Sequence, residues 1–185
     1  TGDTVYYSLT NDGTDWSTTL PTFTDVTGST TVYVKVENAN YEDRTGSGTV
    51  EITARPIEIT ADSNSKVYDG TALTDSGWSL SNGTVATGEA IDSVTVAGSQ
   101  TAVGASDNVA SGAVIKDGEA DVTANYSISY VKGTLTVTAA TGEELDITSY
   151  SGVYDSEAHS ISVNNAITGD TVYYSLTNDG TDWST

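Results

Sequence analysis

Residues 31–37 read Thr-Val-Tyr-Val-Lys-Val-Glu. In an extended chain successive side chains point to opposite faces, so Val32, Val34 and Val36 share one face and Tyr33, Lys35 and Glu37 the other. The same period of two recurs on both sides of this run. Val5, Tyr7 and Leu9 alternate in this way, as do Val50 with Ile52, Val94 with Val96, and Leu135 with Val137. Between these runs stand Asn11-Asp12-Gly13, Asp69-Gly70, Asn82-Gly83 and Asp117-Gly118, residue types that tolerate the positive φ of tight turns. Thr, Val and Tyr favour pleated surfaces, and no long amphipathic run of helix formers interrupts them. The expectation is an all-β chain of small Ig-like two-sheet sandwiches joined end to end as a rod. A β-grasp arrangement is the alternative, and it would place a short helix within residues 98–125.

Residues 1–18, TGDTVYYSLTNDGTDWST, recur without a change at 168–185, an offset of 167 positions. Identity of that length implies tandem units kept alike by recent duplication. A weaker repeat lies inside the period: NYSISYVKGTLTVTA (125–139) aligns without gaps to NYEDRTGSGTVEITA (40–54), and KVYDGTALT (66–74) has a counterpart in GVYDSEAHS (152–160). Residues 57–140 therefore read as one complete unit. Residues 1–56 read as the back of a sister unit whose opening strand is missing, and 141–185 as the front of the next copy. The chain opens on Thr and contains no Met, which reads as a piece of a longer protein. Each half unit is expected to need strands from another copy, along a longer array or by strand exchange between molecules, with the array the favoured route. The junctions, Arg55-Pro56 and Ala139–Glu143, are too short and too ordered in composition to be flexible linkers.

Six basic residues against 26 acidic ones give a net charge of −20. That excess keeps an exposed array soluble and self-repelling, and it disfavours nucleic acid as a partner. The absence of Cys removes a disulfide scaffold from consideration. No apolar run is long enough to span a membrane, so no membrane insertion is expected in this segment.

Lys66-Val67-Tyr68-Asp69-Gly70-Thr71, then Asn125-Tyr126, then Gly133-Thr134-Leu135-Thr136-Val137 resemble the YDG/MBG-type repeat domains of large bacterial cell-surface proteins. The unit formed by 141–185 and 1–56 resembles a divergent relative, or the Ig-like module found beside such domains, with Ser156 in place of the glycine of Tyr-Asp-Gly. The resemblance implies an extracellular location, at a bacterial cell surface or cell wall, and a spacer or adhesin role. It implies no catalytic residue.

No residue is assigned to catalysis, to a cofactor or to a metal. His159 is the single histidine, in a Ser/Glu-rich stretch without a nucleophile motif, and an enzyme is not expected. Asn11-Asp12-Gly13-Thr14-Asp15-Trp16, repeated at 178–183, superficially resembles a calcium loop. It lacks the alternating carboxylates and distal Glu of an EF-hand, and reads as a hairpin turn. Junction acids Glu58, Asp62, Glu143, Glu144 and Asp146 are the place where calcium would be shared between domains, although folding is expected without it. Lys66 and Asn125 lie near opening and closing strands, as a Lys–Asn crosslink would require, but the sister unit keeps Asn40 without the lysine. Asn-Tyr is therefore expected to form a turn entering a strand. Tyr6, Tyr33 and Trp78 are candidates for an aromatic binding face, although packing across strands is the expected role. Asn82-Gly83-Thr84 and Asn125-Tyr126-Ser127 match the glycosylation sequon.

Two functions follow. The first is a structural stalk, whose partners are neighbouring identical repeats and which projects a distal binding region. The second is a set of repeats that themselves bind a host glycan or protein multivalently.

Overall fold

The computed structural model describes residues 2–177 and 181–185. It is all-β: among the described residues there is no α-helix, only one 3-10 turn, Thr123–Asn125. The chain divides into two compact units, Thr1–Ala139 and Ala140–Thr185.

The first unit opens with a three-stranded antiparallel sheet of β1 (Thr4–Ser8), β2 (Thr27–Asn38) and β3 (Tyr41–Ile52), in that order. Its register sets Val5 opposite Val36 and Tyr7 opposite Val34, so the faces are those the alternation predicts. Leu9 falls beyond the end of β1 and is exposed. Asn40 sits in the turn between β2 and β3, and its backbone N–H donates to Asn38 Oδ1 at 2.9 Å.

Residues 53 and 54 alone separate β3 from β4 (Arg55–Ala61). After β4 come β5 (Asn64–Val67), β6 (Trp78–Asn82), β7 (Glu89–Ala97), β8 (Gly104–Asp117), β9 (Ala120–Asp121), the 3-10 turn, β10 (Tyr126–Val131) and β11 (Gly133–Thr138), with Leu73 bridging to Gln100 between β5 and β8. One sheet has the order β10-β4-β6, the other β5-β11-β8-β7 with β9 beside β8. The first and last stretches of this segment are neighbours and run parallel. β4 lies along β10, and β5 lies along β11. Both cross from one sheet to the other, β4 into β5 at Asp62-Ser63 and β10 into β11 at Lys132.

The segment 98–125, where the β-grasp alternative needs a helix, holds the long strand β8 instead. Alternation along β8 is interrupted: Asn108 and Ala110 are buried, then Ala113 and Ile115. The slip of one position coincides with Gly112, at φ +58°, and with register shifts against β7. A bulge restores the inward face after each extra residue.

Among the described residues the buried hydrophobic side chains lie between Ile57 and Val137, apart from Val32 in β2. Ile59 and Ala61 of β4 meet Ala110 and Ala113 of β8, with Trp78, Leu80, Val94 and Val96 packed around them. Ile57, Ile115 and Tyr126 form a second cluster, and Leu73, Leu135 and Val137 a third. Each fully buried Ile, Leu or Val here contributes about 1.5–3 kcal/mol relative to exposure. Asn108 is fully buried among them, and its Nδ2 donates to the carbonyls of Asp62 at 2.9 Å and Asp75 at 3.1 Å. It thereby fixes the corner where β4 becomes β5.

In the second unit β12 (Ile147–Thr148) pairs antiparallel with β13 (Ser162–Val163). The Asn165 side chain accepts from the Asp146 N–H and donates to the Glu144 carbonyl. Tyr174 and Ser184 form an isolated bridge, the same one that Tyr7 and Ser17 form in the first unit.

Candidate functional site

The Tyr-Asp-Gly signature is a locked turn at the end of β5. Asp69 Oδ1 accepts from the Thr71 N–H at 2.9 Å and from the Thr71 hydroxyl at 2.8 Å. Lys66 Nζ donates to Asp69 Oδ1, to the Thr71 carbonyl and to Thr71 Oγ1, each at 2.7 Å, which uses all three of its protons. The Tyr68 N–H donates to the Thr138 carbonyl at 2.8 Å and so continues the β5–β11 pairing into the turn. Gly70 stands at φ +80°.

The sister sequence builds the same turn from different residues. Ser156, at φ +71°, is the one non-glycine residue with positive φ among the described residues. Asp155 Oδ1 accepts from the Glu157 N–H at 2.9 Å, the same two-residue step as Asp69 to Thr71. The lysine's place is taken by His159, whose Nε2 lies 2.9 Å from Asp155 Oδ1 and whose ring stacks on Tyr150 at 3.8 Å. His159 is thus a turn residue, and among the described residues no serine or cysteine nucleophile is hydrogen-bonded to it. Gly70→Ser is expected to cost about 1 kcal/mol, the price of a left-handed conformation for an L-residue, because no atom lies within 4 Å of the added Cβ. For a domain of this size that is a drop in Tm of roughly 4–8 °C. Ser156→Gly should act in the opposite sense and slow amide exchange at Glu157.

The Lys66 ammonium and the two Thr71 donors hold the Asp69 carboxyl well below the usual carboxylate range. A depressed folded-state pKa means that the turn's contribution is present above the unfolded value of about 3.9 and is lost as pH falls through the folded one. Following the Thr71 amide by NMR, its hydrogen bond should persist to lower pH than a free aspartate would allow. In Asp69→Asn this acid-dependent loss should vanish.

Asn125 and Tyr126 divide their work between two sides of the chain. The Asn125 side chain accepts from the Val26 N–H at 2.7 Å and donates to Asp25 Oδ1 at 2.9 Å, clasping the loop that precedes β2. Tyr126 is buried, and its hydroxyl accepts from the Ala86 N–H at 2.8 Å and donates to Glu89. Burial, with Glu89 adding to it, pushes the phenol's pKa up. The pair ends the 3-10 turn and opens β10, which is the turn-into-strand role read from the sequence. Lys66 and Asn125 are each committed to separate partners and are not brought together.

The Asn11–Trp16 segment is a hairpin turn. Asp12 Oδ1 accepts from the Thr14 N–H at 3.0 Å and from the Thr14 and Thr10 hydroxyls, while Asp15 accepts from Ser8 and Thr10. These donors lower both carboxyl pKa values. In the second copy Asp182 holds Ser175 and Thr177 in the same way, while residues 178–180 lie outside the described residues. Lys35 lies 5.2 Å from the Tyr6 ring centre and 5.5 Å from that of Trp16. Tyr6 and Tyr33 share a face of the β1–β2 sheet, whereas Trp78 packs on the Ile59 cluster of another sheet. The three aromatics do not form one surface.

Among the described residues no group of three or more His, Asp or Glu side chains is placed to hold a metal ion. Glu58 accepts from the Ser81 hydroxyl at 2.9 Å, and Asp62 lies in the first unit with it; Glu143, Glu144 and Asp146 belong to the second. No helix among the described residues is long and apolar enough to cross a membrane.

Residues 57–136 match the family model of the MBG domain (YGX type). The span runs from the first buried residue of β4 into β11, and it contains the Lys66–Thr71 turn and the Asn125-Tyr126 pair. The resemblance read from those residues is therefore shown for this segment, and the family is not one of enzymes. No curated protein and no solved structure matches the chain.

Proposed function

We propose that the chain is a stalk segment of a repetitive bacterial cell-surface protein, in which modules succeed one another and project a distal binding region. The modules are 57–140, an MBG domain, and a sister module composed of residues 141–185 followed by residues 19–56 of the next copy, since 168–185 repeat 1–18. The observation that carries this reading is the unchanged recurrence of residues 1–18 at 168–185. An array of near-identical copies multiplies length. The two-residue spacing of β3 and β4, together with the Asn125 clasp on Asp25 and Val26, supports joints that are built and not merely tethered. The acidic surface suits an extracellular array whose copies must not adhere to each other. Display of a reporter binding domain on one, two and four copies of the period tests the proposal. Capture of a bulky target should rise with copy number, and the copies without the reporter should retain neither glycans nor host proteins. Retention by the bare copies that grows with their number would replace the stalk by a multivalent adhesive surface.

A further inference from the structure

The two occurrences of one 18-residue sequence sit in different surroundings. In the first unit Thr4–Ser8 is a strand because β2 pairs with it, Thr4 with Glu37 through Ser8 with Tyr33. In the second unit the identical residues 171–175 keep the local hairpin, with the Tyr174–Ser184 bonds at the same 2.7 and 2.9 Å as Tyr7–Ser17, but have no strand like β2 beside them among the described residues. The hairpin is thus encoded locally and the strand by what lies beside it. Next to residues 171–175 is a groove of about 720 Å³, mostly apolar, lined by Ile147, Ile161, Val172 and Trp183 together with the polar His159 and Asp182.

The complementary deficit is found on β3. Gly133 pairs with Asn108 and Leu135 with Ser106 in β11–β8, and Gly48 pairs with Val32 and Val50 with Thr30 in β3–β2. The β2–β3 ribbon is therefore the counterpart of β8 with β10–β11. Yet Leu135 is 0% exposed and Val50 36%, and Tyr126 is 9% exposed and Tyr41 72%. Tyr126 packs with Ile57 of β4 and with Ile115, and Leu135 packs with Leu73 and Val137. The strands that run parallel beside β10 and β11 come from the opening segment, β4 to β5. Its counterpart is the second unit's opening, where Leu145-Asp146-Ile147-Thr148 matches Ile57-Glu58-Ile59-Thr60. Leu145 is 62% and Ile147 47% exposed, against 3% for Ile57 and 0% for Ile59. Each half exposes the residues that the other half would bury.

We infer that the apolar face of residues 145–177 is a docking surface for the β2–β3 ribbon (residues 27–52) of a second copy of this repeat, supplied in cis by the next copy along the chain. The register is fixed by the first unit: Thr171 opposite Glu37 of that copy, Val172 opposite Val36, Tyr174 opposite Val34. The inference holds whether the array is a spacer or an adhesive surface.

The test compares the 185-residue chain with a chain extended at Thr185 by a second copy of residues 19–56. Amide exchange at 171–175 should slow at least tenfold in the extended chain, and Trp183 should become shielded from quencher. Val34→Pro in the appended copy alone should abolish both effects. Unchanged exchange at Ile59 and Ile115 reports that the remainder is folded in every chain. Equal exchange at 171–175 in the two chains would overturn the inference, as would protection that survives Val34→Pro. Protection that develops in the 185-residue chain on raising its concentration, with dimer formation, would overturn the supply in cis in favour of exchange between molecules. Protection of that chain by lipid vesicles in place of a second copy would overturn the choice of occupant.

Discussion

Gly133→Ala is expected to destabilise the 57–139 fold by about 3 kcal/mol or more, among the larger costs a single methyl group can impose. A Cβ at this position would lie 2.2 Å from the Asp62 carbonyl oxygen and 2.6 Å from that of Ala61, both backbone atoms of the corner where β4 becomes β5. No side chain can rotate away to make room. The corner is itself held from the other side by Asn108, so β11 must move, and with it Leu135 and Val137. A domain of about 80 residues has a total stability of roughly 4–12 kcal/mol, so Tm should fall by more than about 10 °C. Gly46→Ala, in β3 with open space around its Cβ, is the control and should change stability by less than about 0.5 kcal/mol. A loss below about 1 kcal/mol for Gly133→Ala would show that the corner yields, contrary to the packing described.

The second large effect is a pair of truncations at equivalent positions. Leu135→Ala removes a fully buried side chain and should cost about 2–5 kcal/mol by lost burial and the cavity left behind. Val50→Ala, at the matching place in β3, should cost under about 1 kcal/mol in this chain, since its side chain is already partly in water. Denaturant unfolding of both variants decides the matter, with the shift in midpoint read at constant slope. Equal costs at the two positions would mean that β3 already has a cover, and would remove the asymmetry on which the docking surface depends.

Strands that alternate cleanly were legible from residue types alone. Thr31–Glu37 lies within β2, Leu135 and Val137 point into a buried cluster, and Val94 with Val96 pack on the Ile59 cluster. The four turn glycines, Gly13, Gly70, Gly83 and Gly118, all have φ between +57° and +80°. β8 was not legible. Its inward residues are Asn108, Ala110, Ala113 and Ile115, two of them small and one polar, and the bulge at Gly112 breaks the period on which pattern reading depends. The sheet-to-sheet crossing at Asp62-Ser63 was equally hidden. It is set by tertiary partners, the Asn108 amide and the close approach of Gly133, and neither leaves a periodic trace. The Asp69 lock was visible as Tyr-Asp-Gly-Thr, but the role of Lys66 was not, because it depends on where a flexible ammonium reaches in space. Ser156 was legible as a departure from glycine, and the structure shows that the backbone keeps the left-handed conformation regardless.

The parallel pairing of the segment's first and last strands has a mechanical consequence. A pull applied between Arg55 and Thr138 would act at opposite ends of the β4–β10 and β5–β11 pairs and would draw each strand lengthwise past its neighbour. Such a load is shared by the whole ladder at once, from Arg55–Tyr126 to Thr60–Val131 and from Asn64–Leu135 to Val67–Thr138. A hairpin pulled apart at its open end would instead lose its hydrogen bonds singly, in succession. Resistance to such a pull is set by the rate of unfolding and not by the equilibrium stability. The Lys66–Asp69–Thr71 turn sits where the second ladder ends and adds the Tyr68–Thr138 bond to it, so under such a pull the signature would be the latch of a shear joint.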